Sequence, residues 1–179
     1  MIDGLTYQSD LLTEAEQQLV LATVDQMPWN DLLKRRVQHY GYRYDYKERS
    51  VDYSMHLGEL PAFAKAVSKK LLDANLIKEV PDQVIVNEYV PGQGISAHVD
   101  CEPCFKDTIV TVSLGWAYEM EFIRQKQVIK MMLEKGSALV ISGVARYQWM
   151  HQIRARKKDN GVERQRRISL TFRNVILND

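Results

Sequence analysis

Cysteine is almost absent from this chain of 179 residues: Cys101 and Cys104, spaced as CxxC within DCEPC, are the only two. Two thiolates cannot complete a four-ligand zinc site. Pro103 lies between them in a loop, not in a thioredoxin-like strand-to-helix turn, so two reduced thiols are expected, with a redox pair as the alternative. No run of about 20 apolar residues occurs, and the opening MIDGLTYQSD has an early Asp and no apolar stretch. Neither a transmembrane helix nor a secretory signal is predicted, no membrane association is expected, and the cytoplasm is the expected location. An excess of one charge is also missing, since 24 Lys and Arg stand against 23 Asp and Glu. Strong whole-molecule attraction to nucleic acid or anionic lipid is thereby excluded, and such binding needs a local patch. Repeats, low-complexity tracts and long linkers are absent too. With 45% apolar and 26% charged residues, the composition is that of an ordered globular chain. Its length suits one core but is short for two, so a single domain over 1–179, monomeric, is expected.

Helical signals are confined to the first half. Thr13 followed by Glu16 forms a capping box, after which Ala15, Leu19, Ala22 and Val24 recur at near-helical spacing through Met27. A second helix is predicted from Pro61, carrying Phe63, Val67, Leu71 and Leu72 toward a core. From Gln83 the texture changes to short β-branched runs, QVIVNEYV, TIVTVSL, MEFI, QVIKMML, ALVIS and RISLTFRNVI, separated by Gly, Pro or charged segments. No helix-length segment lies between consecutive strands after Val90, which argues against a parallel α/β fold. The predicted fold is mainly β with supporting helices: a jelly-roll double sheet flanked by N-terminal helices.

Between the two helices, Tyr40, Tyr42, Tyr44 and Tyr46 alternate strictly within HYGYRYDYKERS. In an extended segment all four would share one face, with His39, Gly41, Arg43 and Asp45 on the other. An edge hairpin burying an aromatic face fits this pattern. A base-stacking surface fits it equally, because nucleobases stack on aromatic rings beside Arg.

His98 and Asp100 stand at i and i+2 at the end of an extended segment, so both side chains leave the same face and can converge on one ion. A third ligand from a distant strand would complete the two-histidine, one-carboxylate arrangement that leaves positions open on iron(II). His151 is the natural candidate; His39 and His56 lack a following strand that would place them opposite His98. HxD alone is a weak signal. It gains weight from RISLTFR, in which Arg167, Ser169, Thr171 and Arg173 alternate with Ile168, Leu170 and Phe172. Two guanidinium groups on one buried strand face call for an anion, and a dicarboxylate suits their planar forks. Two exposed arginines on a solvated strand are the plain alternative.

NEYVPGQGISAHVD (residues 87–100), the segment ending RYQWMH at His151, and RISLTFR together resemble the AlkB family of iron and 2-oxoglutarate oxygenases over about residues 83–176, and more weakly from the tyrosine segment onward. The resemblance implies an oxygenase core over 81–177, with helices and a nucleotide-recognition-like segment over 1–80. It implies Fe(II) bound by His98, Asp100 and His151, with 2-oxoglutarate and O₂ as cosubstrates. Arg167 would pair with the distal carboxylate of 2-oxoglutarate, and Asn87, Tyr89 and Arg173 would also contact the cosubstrate. The family's founding members have Asn where this chain has Ser169, a smaller residue with a single hydroxyl donor. The motifs are most similar to the branch that acts on a wobble uridine in transfer RNA.

The expected reaction is therefore oxidation of an alkylated or modified base in DNA or RNA, by demethylation or hydroxylation, with Tyr42, Arg43 and Tyr44 as substrate contacts. A run from Arg154 to Arg173, with eight cations against Asp159 and Glu163, is suited to phosphates or else is a solvated loop. Two rivals stand beside this reading. An oxygenase of the same fold acting on a protein side chain or small metabolite fits the near-zero net charge. A non-catalytic module fits less well, because every presumed ligand position is filled.

Overall fold

In the computed structural model, which describes residues 2–31 and 33–177, helix α1 (Glu14–Gln26) starts where its capping box places it. The Thr13 hydroxyl accepts from the Glu16 N–H, and the Glu16 carboxylate accepts from the Thr13 N–H at 2.8 Å. The buried stripe of α1 is Gln17, Val20 and Val24. Leu19, expected on that stripe, is 69% exposed. The i, i+4 pair Val20 and Val24 sets the helix rotation, and the Gln17 amide is drawn inward by the Leu12 carbonyl at 3.1 Å. Helix α2 (Ala62–Asp73) follows Pro61 and buries Phe63, Val67 and Leu71. Lys70 of α2 reaches the Glu16 carboxylate at 2.6 Å, tying the helices together.

The strands are β1 (Leu5–Gln8), β2 (Val37–Tyr40), β3 (Gln83–Tyr89), β4 (Ile95–His98), β5 (Ile109–Leu114), β6 (Tyr118–Arg124), β7 (Gln127–Leu133), β8 (Ala138–Ile141), β9 (Met150–Ile153), the pair β10 (Lys158–Asp159) and β11 (Val162–Glu163), and β12 (Arg167–Arg173). The larger sheet has the order β1-β8-β5-β12-β3-β2 and the smaller β4-β9-β6-β7, each antiparallel throughout. Two antiparallel sheets with helices on the outer face of one make the jelly-roll double sheet expected from the sequence. Strands β1, β4 and β9 are four residues long and lack a β-branched run, so their pairing partners far along the chain define them.

Alternation along the central strands explains the layering. Val84 and Val86 of β3, Val110, Val112 and Leu114 of β5, and Ile168, Leu170 and Phe172 of β12 face the helices, where they join Val20, Val24, Phe63, Val67 and Leu71 in one core. The opposite faces look into the space between the sheets. There Tyr89, Tyr118, Phe122, Leu139, Ile141, Trp149 and Ile153 form a second core. A third cluster, around Cys101, Cys104, Phe105, Ile109 and Val175, closes the end next to the tyrosine segment.

Candidate active site

A cavity of about 210 Å³ opens between the two sheets. Its floor comes from β3 and β12, whose register places Arg167 opposite Tyr89, Ser169 opposite Asn87, Thr171 opposite Ile85 and Arg173 opposite Gln83. All of these except Gln83 line the cavity. The period-two pattern of RISLTFR is thus realised: its apolar residues face the helices and its polar residues face the cavity.

His98, Asp100 and His151 meet on the opposite wall. Their candidate ligand atoms all lie within 4.8 Å of one another. His98 ends β4 and pairs directly with His151 of β9, with ring centroids 4.3 Å apart. The Nδ1 of His98 lies 2.7 Å from the Ser96 carbonyl oxygen. A carbonyl only accepts, so Nδ1 donates to it, and Nε2 is the ring nitrogen turned toward the site, 3.7 Å from Asp100 Oδ1. Burial pushes the His151 imidazole down to about 4, against the pull of Asp100, which keeps it neutral at ordinary pH. Burial alone would raise the Asp100 carboxyl, but Arg173, together with His151, His98 and Arg146, holds it well below the usual carboxylate range. Two imidazoles and one ionised carboxylate on one wall suit a divalent metal that keeps open positions.

The facing guanidinium groups are under-satisfied. Arg167 is 1% exposed, donates from Nη2 to Ser113 Oγ at 2.8 Å, and leaves its buried Nε without a partner. The rings of Tyr89 and Tyr118 lie 5.3 and 6.0 Å from its charge. Arg173 donates to Asp100 Oδ1 at 3.2 Å, and its Nε is also buried and unpartnered. A carboxylate ligand would supply what these groups lack.

Other sequence expectations need correction. Strand β2 ends at Tyr40, and the tyrosines after it do not share a face. Gly41 adopts φ +76°, and a Cβ there would sit 1.8 Å from the Asp82 carbonyl oxygen, so the extended segment breaks at that point. Tyr40 packs on Phe63 in the helix-side core, Tyr42 on His56, and only Tyr44 and Tyr46 line the cavity. Arg43 is exposed and outside the lining. The cysteines, expected to be reduced, form a disulfide, because the turn after Asp100 brings their Cα atoms to 5.3 Å. The arginines of the basic run that precede β12 are paired with carboxylates, Asp159 within the run and the others remote in sequence. Arg154 pairs with Glu121, Arg156 with Glu119 and Asp159, Arg164 with Asp159, and Arg166 with Asp25 and Glu88.

Three residues in or beside the candidate site escaped the sequence. Arg146, buried on the short helix α3 (Gly143–Gln148), donates to the backbone carbonyls of Asp100 at 2.9 Å and Cys101 at 3.2 Å, fixing the turn that carries the carboxylate. Arg35 and Arg49 line the cavity. All three depend on tertiary placement that no local periodicity encodes.

Residues 6–173 match the 2OG-Fe(II) oxygenase superfamily. The chain is 38% identical to "Alkylated DNA repair protein ALKBH8 homolog" of Arabidopsis thaliana, over 97% of its own length and 59% of that protein's. It is 37% identical to "tRNA (carboxymethyluridine(34)-5-O)-methyltransferase ALKBH8" of Mus musculus, over 87% of its own length and 25% of that protein's. It therefore spans less than two thirds of the first relative and a quarter of the second. Among solved structures, that of OsALKBH1 superposes with a TM-score of 0.75 at 19% identity and covers 96% of both chains, a likeness of fold.

Proposed function

The chain belongs to the 2OG-Fe(II) oxygenase superfamily, and on that premise we propose that it oxidises an alkylated or modified nucleobase in nucleic acid, with transfer RNA as the first substrate to test. The superfamily's chemistry requires Fe(II), 2-oxoglutarate and O₂, and its members are 2-oxoglutarate-dependent dioxygenases. One observation carries the assignment of the site: the buried, under-satisfied guanidinium of Arg167, its Nε without a hydrogen-bond partner among the described residues, faces the His98, Asp100 and His151 cluster across one cavity. The choice of nucleic acid is supported by the relatives, whose names specify alkylated DNA and transfer RNA.

In this reading His98, Asp100 and His151 hold Fe(II), and Arg167 receives the far carboxylate of 2-oxoglutarate. When bound, the metal and cosubstrate supply oxidation of a substrate C–H bond coupled to decarboxylation of 2-oxoglutarate to succinate. The protein contributes orientation and exclusion of water. Asp100 brings the one anionic ligand, and Arg173 and the Arg146-held turn fix its direction. Tyr89, Asn87 and Ser169 flank Arg167 on the same floor and complete the cosubstrate's polar contacts. Ile95, Met120, Ile141 and Ile153 form dry walls, while Tyr44 and Tyr46 cover the mouth. Residues 81–177 thus carry the chemistry, and residues 1–80 supply the supporting helices and the cover over the substrate. If the oxidised carbon is an N-methyl group, formaldehyde leaves and the base is restored; otherwise the hydroxylated base is the product.

The test is mass spectrometry of total transfer RNA and methylated oligonucleotides after incubation with the protein, Fe(II), ascorbate and 2-oxoglutarate. A gain of one oxygen or loss of a methyl group is expected, in step with succinate. Succinate formation stimulated only by peptides or small metabolites would replace this substrate class with the alternative.

A further inference from the structure

The charged groups lining the cavity are four guanidiniums, Arg35, Arg49, Arg167 and Arg173, and one carboxylate, Asp100. Iron(II) and the 2-oxoglutarate dianion would cancel each other. Three positive charges would then remain in a cavity with low-dielectric walls, where such an imbalance attracts anions. Arg167 and Arg173 sit on the floor and are largely buried, whereas Arg35, lying against Asn87 and the Tyr89 ring, is half-buried and Arg49 is exposed, so these two are the guanidiniums that solvent reaches. Neither has a carboxylate partner among the described residues. Arg35 is half-buried, and its Nε donates to Asn87 Oδ1 at 3.0 Å. Arg49 is exposed, and its Nη2 makes a long contact of 3.4 Å with the Val99 carbonyl.

The backbone of Arg49 is held with unusual care for an exposed residue. Its φ of +52° is left-handed, a region few side-chain-bearing residues adopt. Both sulfurs of the Cys101–Cys104 disulfide lie 3.2 Å from its carbonyl oxygen, wedging it against the turn that carries Asp100. Strained backbone of this kind persists where the surroundings impose it, often at ligand clamps. The contrasting region is the run from Arg154 to Arg166, where all four arginines are paired with carboxylates.

We infer that Arg35 and Arg49 form a phosphate-binding rim that seats the backbone flanking the target nucleotide. This rests on the nucleic-acid reading above and places the phosphate contacts at the cavity mouth, not on the basic run.

The experiment is fluorescence anisotropy of a labelled RNA hairpin with a single-stranded loop, titrated with the protein loaded with Mn(II) and 2-oxoglutarate, across a salt series. Arg35→Gln and Arg49→Gln should each weaken binding about tenfold and reduce the slope of log affinity against log salt by about 0.7. Lysine at either position should retain the slope. Neutral methylphosphonates flanking the target should weaken binding to the unmodified protein but not further weaken it in the double Gln variant. Arg35 also touches Asn87, so the exposed Arg49 carries the test if Arg35→Gln fails to fold. Unchanged affinity and slope in Arg49→Gln would overturn the rim while leaving the substrate class intact. If the unmodified protein binds no RNA or DNA, both fall.

Discussion

At the scale of single residues, Arg167 is the group whose surroundings make least sense without a ligand. A fully buried guanidinium with one hydroxyl acceptor and an unpartnered Nε carries a desolvation penalty that no carboxylate among the described residues offsets. Arg167→Met should therefore leave the thermal midpoint of the ligand-free protein unchanged or higher. The same change should abolish the stabilisation that 2-oxoglutarate gives with a redox-inert metal, a loss of at least a hundredfold in affinity, or about 3 kcal/mol. Calorimetric titration and a melting curve measure the two halves. If Arg167→Met retains cosubstrate binding, Arg173 or a residue outside the strand is the anchor. This residue was legible in the sequence because strand alternation converts RISLTFR directly into a polar face, and the two-residue spacing of His98 and Asp100 is legible for the same reason. Arg146 was not, since its value lies in which backbone carbonyls it reaches across the fold.

At the scale of elements, the tyrosine segment shows how one backbone position redirects a pattern. Strict alternation predicts a single aromatic face, and β2 obeys it as far as Tyr40. Gly41 then turns the chain at positive φ beneath the Asp82 carbonyl, while its own carbonyl accepts from the Leu57 N–H at 2.8 Å. The turn delivers Tyr44, Tyr46 and Arg49 to the cavity and leaves Tyr42 outside it. Gly41→Ala adds a left-handed penalty of about 1–2 kcal/mol and a clash with backbone that cannot swing aside. Urea unfolding should show at least that loss. An unchanged midpoint would mean the segment continues as a strand, restoring the single aromatic face. Helix α1 and the central strands were predictable because their signals are local, a cap and a period. The turn at Gly41 depends on Asp82, some forty positions away.

At the scale of the whole molecule, the question is where a chain of net charge +1 keeps its unbalanced charge. Counting along the sequence puts it between residues 154 and 173, since a linear count sees only the acids inside that window. The fold brings Asp25, Glu88, Glu119 and Glu121 from α1, β3 and β6 onto those arginines, and the surplus moves to the cavity. The firmest of these pairs is Arg164 with Asp159. Both are buried, Nε and Nη2 reach the two carboxylate oxygens at 2.6 and 2.9 Å, and the guanidinium lies 4.2 Å from the centre of the Tyr118 ring. Arg156 also holds Asp159 Oδ1, at 2.6 Å, so removing Arg164 leaves the buried carboxylate only half-paired and takes the donor from the carbonyls of Arg154 and Arg156, at a cost of about 3 kcal/mol. For a domain of this size that is roughly a 10 °C fall in melting temperature. Arg164→Met should therefore behave as a stability mutant, leaving the salt slope of RNA binding unchanged at temperatures where it is folded. A normal melting temperature with a shallower salt slope in Arg164→Met would show that this arginine faces phosphate, and the surplus charge would have to be placed back on the run.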